Sequence, residues 1–195
     1  MRRLLRPVLM AEQIWEIDLK ALWERGVRGL ILDLDNTVVD WNAEELRPPV
    51  RSWVEEAKRR GMRVCLVSNA FFGKRVQRVA KELGIECVVR AGKPFPRAFR
   101  RGLALLGTEA AHTCAIGDQV FTDMLGANWL GLMTALVAPL SARESLHTRL
   151  LRWVERPLRR RWREEQMGPS GDTSERLRTL SPTSPSFSPN SPRWK

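Results

Sequence analysis

The stretch Gly29-Leu-Ile-Leu-Asp33-Leu-Asp35-Asn36-Thr37 decides the fold. Gly29 is followed by three aliphatic residues, and polar character begins at Asp33. A short, unbroken apolar run bounded by polar residues predicts a strand buried on both faces, as in a parallel sheet. Ligands of an open parallel sheet bind at the carboxyl ends of its strands. Asp33, Asp35, Asn36 and Thr37 therefore fall where chemistry is expected.

Downstream of this run, strand and helix patterns alternate. Helices are predicted over Arg51–Arg60, Gly73–Leu83, Pro96–Leu106 and Val120–Leu130, with Pro48 and Pro49 leading into the first. Gly61, Gly84 and Gly107 stop three of them. Strands are predicted over Arg63–Val67, Glu86–Arg90, Thr113–Ile116 and Met133–Val137. This alternation predicts an α/β fold, a Rossmann-like doubly wound, mostly parallel sheet in three layers. Upstream, Gln13–Arg25 fits a helix only loosely. Residues 1–28 are accordingly expected to form an N-terminal helical segment packed on a core spanning 29–140. A basic amphipathic helix is expected over 141–166, containing Arg159, Arg160, Arg161 and Arg163. Residues 167–195 are rich in Ser, Pro and Thr and are expected to be disordered, because so few apolar side chains cannot offset the entropy of ordering.

The charge balance narrows the partners. With 33 Lys+Arg against 22 Asp+Glu in 195 residues, the net charge is +11. Such an excess favours phosphorylated substrates, nucleic acid or an acidic membrane surface, and equally fits solvated basic helix faces. Cys65, Cys87 and Cys114 lie in or beside apolar runs without CxxC spacing, and read as buried, reduced thiols. No apolar run approaches the roughly 18 residues that span a bilayer. The basic, then apolar N-terminus is broken by Arg6 and Pro7, so it is not read as a signal peptide. A cytoplasmic protein is expected, with peripheral membrane contact through the N-terminal segment or the basic surface.

Each central strand delivers polar groups to the same sheet edge. Ser68 and Asn69 follow the second, Lys93 the third, and Gly117, Asp118 and Asp123 the fourth. Phosphoryl transfer needs an in-line nucleophile and neutralisation of charge around the phosphoryl oxygens. Crowded carboxylates repel unless they share a hard cation such as Mg²⁺, which prefers oxygen ligands. Asp33 and Asp118 can supply those ligands, and Lys93 a fixed positive charge. Ser68, with nearby backbone N–H groups, can hold a phosphate oxygen. Asp35 can protonate a leaving group and then deprotonate the attacking water. Taken singly these are weak signals, since an aspartate after a strand often caps a helix or turn. Four motifs in order on successive strand ends are a strong one.

Asp33-Leu-Asp35-Asn36-Thr37 resembles the first motif of the haloacid dehalogenase superfamily. Val67-Ser68-Asn69-Ala70 is similar to the second, Lys93-Pro94 to the third, and Gly117-Asp118 through Asp123 to the fourth. The stretches LDLDNTVVDWN, KPFPRAF and GDQVFTDMLGANWLG resemble the YqeG-like branch, which is related to phosphatidylglycerophosphate phosphatases. The branch pattern would place Gly and Arg where this chain has Ala127 and Trp129. The resemblance implies a Mg²⁺-dependent phosphatase with Asp33 as nucleophile and Asp35 as acid and base. It implies phosphate binding by Ser68 and Lys93, with Asn69 and Thr37 as further candidates. It assigns the metal to the carboxylates of Asp33 and Asp118 and the backbone carbonyl of Asp35, with Asp123 supporting the metal or Lys93.

The intervals between motifs leave no room for an inserted cap domain. An open site suits a phosphate displayed on something large, such as a lipid headgroup. Trp41, just after the first motif, is placed near the mouth, either touching substrate or packing its loop. His112 and His147 lack partners at metal-ligand spacing. A basic RNA- or ribosome-associated module with a residual phosphatase site is the alternative function, although no recognised RNA-binding motif is present.

Overall fold

Gly29–Leu32 forms a strand buried along its whole length. The computed structural model describes residues 2–141 and 146–166. Among these, the strands are β1 (Leu9–Ala11), β2 (Gly29–Leu32), β3 (Arg63–Val67), β4 (Glu86–Val88), β5 (Thr113–Gly117) and β6 (Met133–Val137). The helices are α1 (Arg2–Leu5), α2 (Leu19–Glu24), α3 (Pro48–Arg59), α4 (Gly73–Leu83), α5 (Pro96–Leu106), α6 (Leu125–Trp129) and α7 (Leu146–Gln166). All pairings are parallel, in the order β1-β6-β5-β2-β3-β4.

Successive strand residues point to opposite faces, and the two faces carry separate cores. Leu30, Leu32, Leu66, Cys114 and Ile116 cluster with Leu22 of α2, Val50 and Val54 of α3, and Val76 and Ala80 of α4. Ile31, Cys65, Val67 and Ala115 cluster with Ala98 and Phe99 of α5 and Ala127 of α6. Burying one such side chain as large as Phe99 contributes about 1.5–3 kcal/mol. The result is the expected three-layer, doubly wound α/β sandwich. Connections from β2 run outward through β3 to β4, and the chain then returns to place β5 on the other side of β2. That reversal makes the ends of β2 and β5 the switch point, where such sheets bind ligands.

Several elements depart from expectation. The N-terminal segment is not simply helical: Leu9–Ala11 extends the sheet beside β6, with Leu9 opposite Ala135. The expected helix over Gln13–Arg25 is split into a 3₁₀ turn, Ile14–Glu16, and α2. The break falls at Asp18, whose carboxylate accepts from the N–H groups of Lys20 and Ala21 at 2.8 and 3.1 Å as an N-cap. The strand begun at Glu86 ends at Val88, ahead of Arg90, which takes the left-handed conformation at φ 46°. The helix expected from Val120 begins as a π turn, Val120–Met124.

The late basic helix folds back on the domain. Trp162 of α7 is buried with Val120, Met124 and Leu136. Arg6 pairs with Glu165 at 2.9 Å and Arg163 with Glu12 at 2.8 Å, joining α7 to the N-terminal segment. The expected disordered tail, 167–195, lies outside the described residues.

Candidate active site

Asp33 is the first residue beyond β2, and its backbone N–H still donates to Ile116 of β5 at 2.9 Å. The chain then turns sharply: the carbonyl of Leu34 accepts from Val38 and Val39 at 3.0 and 3.1 Å. Asn36 takes φ 61°, a left-handed conformation that Asn tolerates better than most residues. Its side-chain oxygen accepts from the N–H and hydroxyl of Ser141 at 3.2 and 2.9 Å, fastening the turn to the chain beyond β6.

Lys93, in the loop after β4, reaches across to the carboxylates of Asp33 and Asp123, the latter at 2.6 Å. Carboxylate oxygens of Asp33, Asp118 and Asp123 lie within 4.8 Å of one another, and all three residues are buried. Gly117 permits this convergence. A Cβ there would lie 2.3 Å from Asp123 Cγ, so any other residue would push Asp123 away. The carboxylate of Asp123 also accepts from Gln119 N–H at 3.1 Å.

Burial pushes the Asp33 carboxyl well above the usual carboxylate range; Lys93 opposes this, while Asp123 and Asp118 add to it. Burial would lower the Lys93 ammonium, but Asp123 and Asp33 outweigh it and hold it above its ordinary value. Three buried carboxylates around one buried ammonium crowd negative charge that a shared hard cation would relieve. The donors are all hard oxygens, so the cluster fits a divalent cation such as Mg²⁺.

The other expected residues are arranged around this centre. Ser68 is buried at the end of β3, its hydroxyl oxygen accepting from Ala70 N–H at 3.1 Å. Thr37 is fully buried, and its hydroxyl has no partner among the described residues. Asn69, expected to bind phosphate, is engaged with the Lys93 loop. Its side-chain oxygen accepts from the N–H groups of Gly92 and Lys93 at 3.0 and 2.8 Å, and its amide donates to the Lys93 carbonyl at 2.9 Å. Gly126 of α6 braces the far side of that loop, since a Cβ there would lie 2.3 Å from the Pro94 carbonyl oxygen.

The side chain of Asp35 is not part of the carboxylate cluster. It is held by Arg75 of α4, which donates to both of its oxygens at 2.7 and 2.6 Å and to the Ala43 carbonyl at 2.8 Å. Sequence reasoning missed Arg75, whose only local signal is its place in the first turn after the second motif. It also missed Glu155 of α7, and read Arg159 only as part of a basic helix face. The carboxylate of Glu155 accepts from Val120 and Phe121 N–H at 2.9 and 3.1 Å, capping the π turn that carries Asp123. Arg159 donates to the carbonyls of Asp118 and Val137 at 2.7 and 3.0 Å.

Residues 8–131 match the family model of haloacid dehalogenase-like hydrolases. The chain belongs to that family. This hydrolase is 36% identical to the probable phosphatase YqeG of Bacillus subtilis (strain 168) over 156 residues, covering 80% of this chain and 90% of that protein. It is 25% identical to phosphatidylglycerophosphate phosphatase 1, chloroplastic/mitochondrial, of Arabidopsis thaliana over 86% of this chain. It is 31% identical to phosphatidylglycerophosphate phosphatase 1, chloroplastic, of Chlamydomonas reinhardtii over 69% of this chain. The match spans 51% and 53% of the length of those two proteins. No helix of this hydrolase among the described residues is long and apolar enough to cross a membrane.

Proposed function

We propose that this hydrolase is a Mg²⁺-dependent phosphomonoesterase that works through a covalent phosphate on Asp33. The observation that best supports the reading is the buried group of Asp33, Asp118 and Asp123 around Lys93 at the switch point. A carboxylate oxygen of Asp33 attacks phosphorus, and the ester P–O bond breaks as the new bond forms. Asp35 gives its proton to the departing oxygen. It then takes a proton from water, whose oxygen attacks phosphorus and breaks the bond to Asp33, releasing phosphate.

Lys93 and the Ser68 hydroxyl hold the phosphoryl oxygens, and Asp123 anchors Lys93. Asn69 positions the loop that carries Lys93. Asp33 and Asp118, with the backbone carbonyl of Asp35, would hold Mg²⁺, which neutralises phosphoryl charge when bound. Arg75 takes one acceptor site on each Asp35 oxygen, which orients the carboxyl and leaves it capacity to serve a leaving group.

Phosphatidylglycerophosphate is the substrate we favour, from the names of the plant and algal relatives and from a site with no domain inserted over it. The test is Mg²⁺-dependent phosphate release from phosphatidylglycerophosphate and from soluble phosphomonoesters, with the Asp33→Asn protein in parallel. Lipid turnover lost in the variant supports the whole reading. Turnover of soluble esters alone keeps the phosphatase and removes the lipid, and no release from any substrate overturns both.

A further inference from the structure

We propose that Phe71, Phe72 and Phe95, flanked by Lys74, Arg90 and Arg97, form a docking prow that enters the headgroup layer of an anionic bilayer beside the active site. The inference deepens the lipid-substrate reading and rests on it.

Phe71, Phe72 and Phe95 are 69%, 74% and 70% exposed, although aromatic rings of this size usually bury 150–250 Å² each. They stand on the loops after β3 and β4, neighbouring strands that end at the same sheet edge. Asn69 ties the two loops together through its bonds to Gly92 and Lys93. The same loops carry Ser68 and Lys93, so the rings border the entrance to the site. Phe71 and Phe72 pack edge to face with centroids 5.7 Å apart. Arg90 lies 4.5 Å over the Phe71 ring and donates to the Phe71 carbonyl at 3.1 Å, so the prow is braced.

The surrounding charge selects the partner. No Asp or Glu occurs from Ser68 to Lys81 or from Cys87 to Arg101. Lys74 opens α4 and Arg97 lies in the first turn of α5. Both are exposed and have no carboxylate partner among the described residues. Rings at headgroup depth with cations on lipid phosphates are the chemistry of an anionic interface. RNA would instead need open ring faces for stacking, whereas Arg90 covers one face of Phe71. The N-terminal segment does not provide this surface, because Leu9 is buried and Met10 packs into the cluster under α7.

The test is co-sedimentation of the full chain with phosphatidylcholine vesicles, with and without phosphatidylglycerol, for the native protein and a Phe71→Ser/Phe72→Ser/Phe95→Ser variant. Native protein is expected to pellet with the anionic vesicles, and the variant to lose roughly tenfold or more in binding. Hydrolysis of a soluble phosphate ester should be unchanged in the variant, which also shows that it is folded. In a second readout, Phe72→Trp adds tryptophan fluorescence that brominated lipid should quench beyond the native signal. Absence of native binding, equal binding by the variant, or ring-dependent retention on RNA without vesicle binding each overturns the proposal. Ring-dependent vesicle binding without phosphate release from lipid leaves the prow standing and removes the lipid substrate. Lipid hydrolysis with ring-independent binding does the reverse.

Discussion

Arg75 grips Asp35 through both carboxylate oxygens, at 2.7 and 2.6 Å, from the first turn of α4. Only 11% of the arginine side chain and 22% of the aspartate side chain are exposed, so water screens the pair weakly. Asn42 N–H adds a third donor to the same carboxylate at 3.1 Å. The proposed acid and base is thus positioned by a helix that also carries the edge of the docking prow.

The consequence is a leaving-group signature. Arg75→Ala should lower kcat/KM by roughly tenfold or more for alkyl phosphates, whose leaving oxygen needs a proton. For aryl phosphates, whose leaving group departs unprotonated, the loss should be small. Equal losses on both substrate classes would show that Arg75 does not act through Asp35.

Glu155 reaches the site from α7, capping the π turn, while Arg159 one turn later holds the Asp118 carbonyl. Removing a group that orients a metal ligand typically costs about 10- to 100-fold in metal affinity. Arg159→Ala, which frees the Asp118 carbonyl, should weaken Mg²⁺ binding by that order, measured by calorimetric titration. Unchanged affinity would detach α7 from the centre.

Asp33 contributes to stability with a definite sign. Its carboxyl is raised above the ordinary 3.8, chiefly by burial, so its contribution is full below that pH and is lost as pH rises through the folded value. At neutral pH without metal, keeping this carboxyl buried therefore destabilises the fold. Asp33→Asn should therefore melt higher than native protein in EDTA, by about 2–4 °C for each kcal/mol relieved. Mg²⁺ should stabilise native protein more than the variant. A lower metal-free Tm for the variant would contradict this electrostatic account.

Alkaline pH tests the buried thiols. Burial pushes Cys65 and Cys114 from 9.0 up to about 12. Between those values the unfolded chain has released protons that the folded chain retains, so stability falls as pH rises from 9 toward 12. The limit is about 1.4 kcal/mol per pH unit for each thiol. Lys93, held above its ordinary value, acts in the same direction at the upper end. Urea unfolding of the native protein and of Cys65→Ala/Cys114→Ala at about pH 8 and about pH 10 measures it, and the variant should lose less. Equal losses would remove the thiols from the account.

The central sheet was legible because each strand from Gly29 to Val137 is a short apolar run between Gly, Pro or polar punctuation. β1 was not, because three edge residues after Pro7 carry no periodicity and owe their conformation to pairing with β6. The π turn at Val120 escaped for a similar reason: its cap comes from Glu155, far along the chain. Asp33, Ser68 and Asp118 could be named because each directly follows a strand, and Lys93 because it lies in the loop after one. Arg75, Glu155 and Arg159 could not, since their importance lies in which element packs beside which. Asn69 shows the limit at one residue. Its position in the motif was visible, but the three bonds tying it to the Lys93 loop were not.

The central claim is that Asp33 carries the phosphoryl group, and the most direct measurement is acid quenching of turnover followed by mass spectrometry of the peptide containing Asp33. The account predicts a Mg²⁺-dependent phosphate adduct on Asp33 that forms and decays at rates consistent with turnover, with adduct and turnover both lost in Asp33→Asn. Sustained phosphate release by the Asp33→Asn protein, or an adduct on another residue, would contradict it.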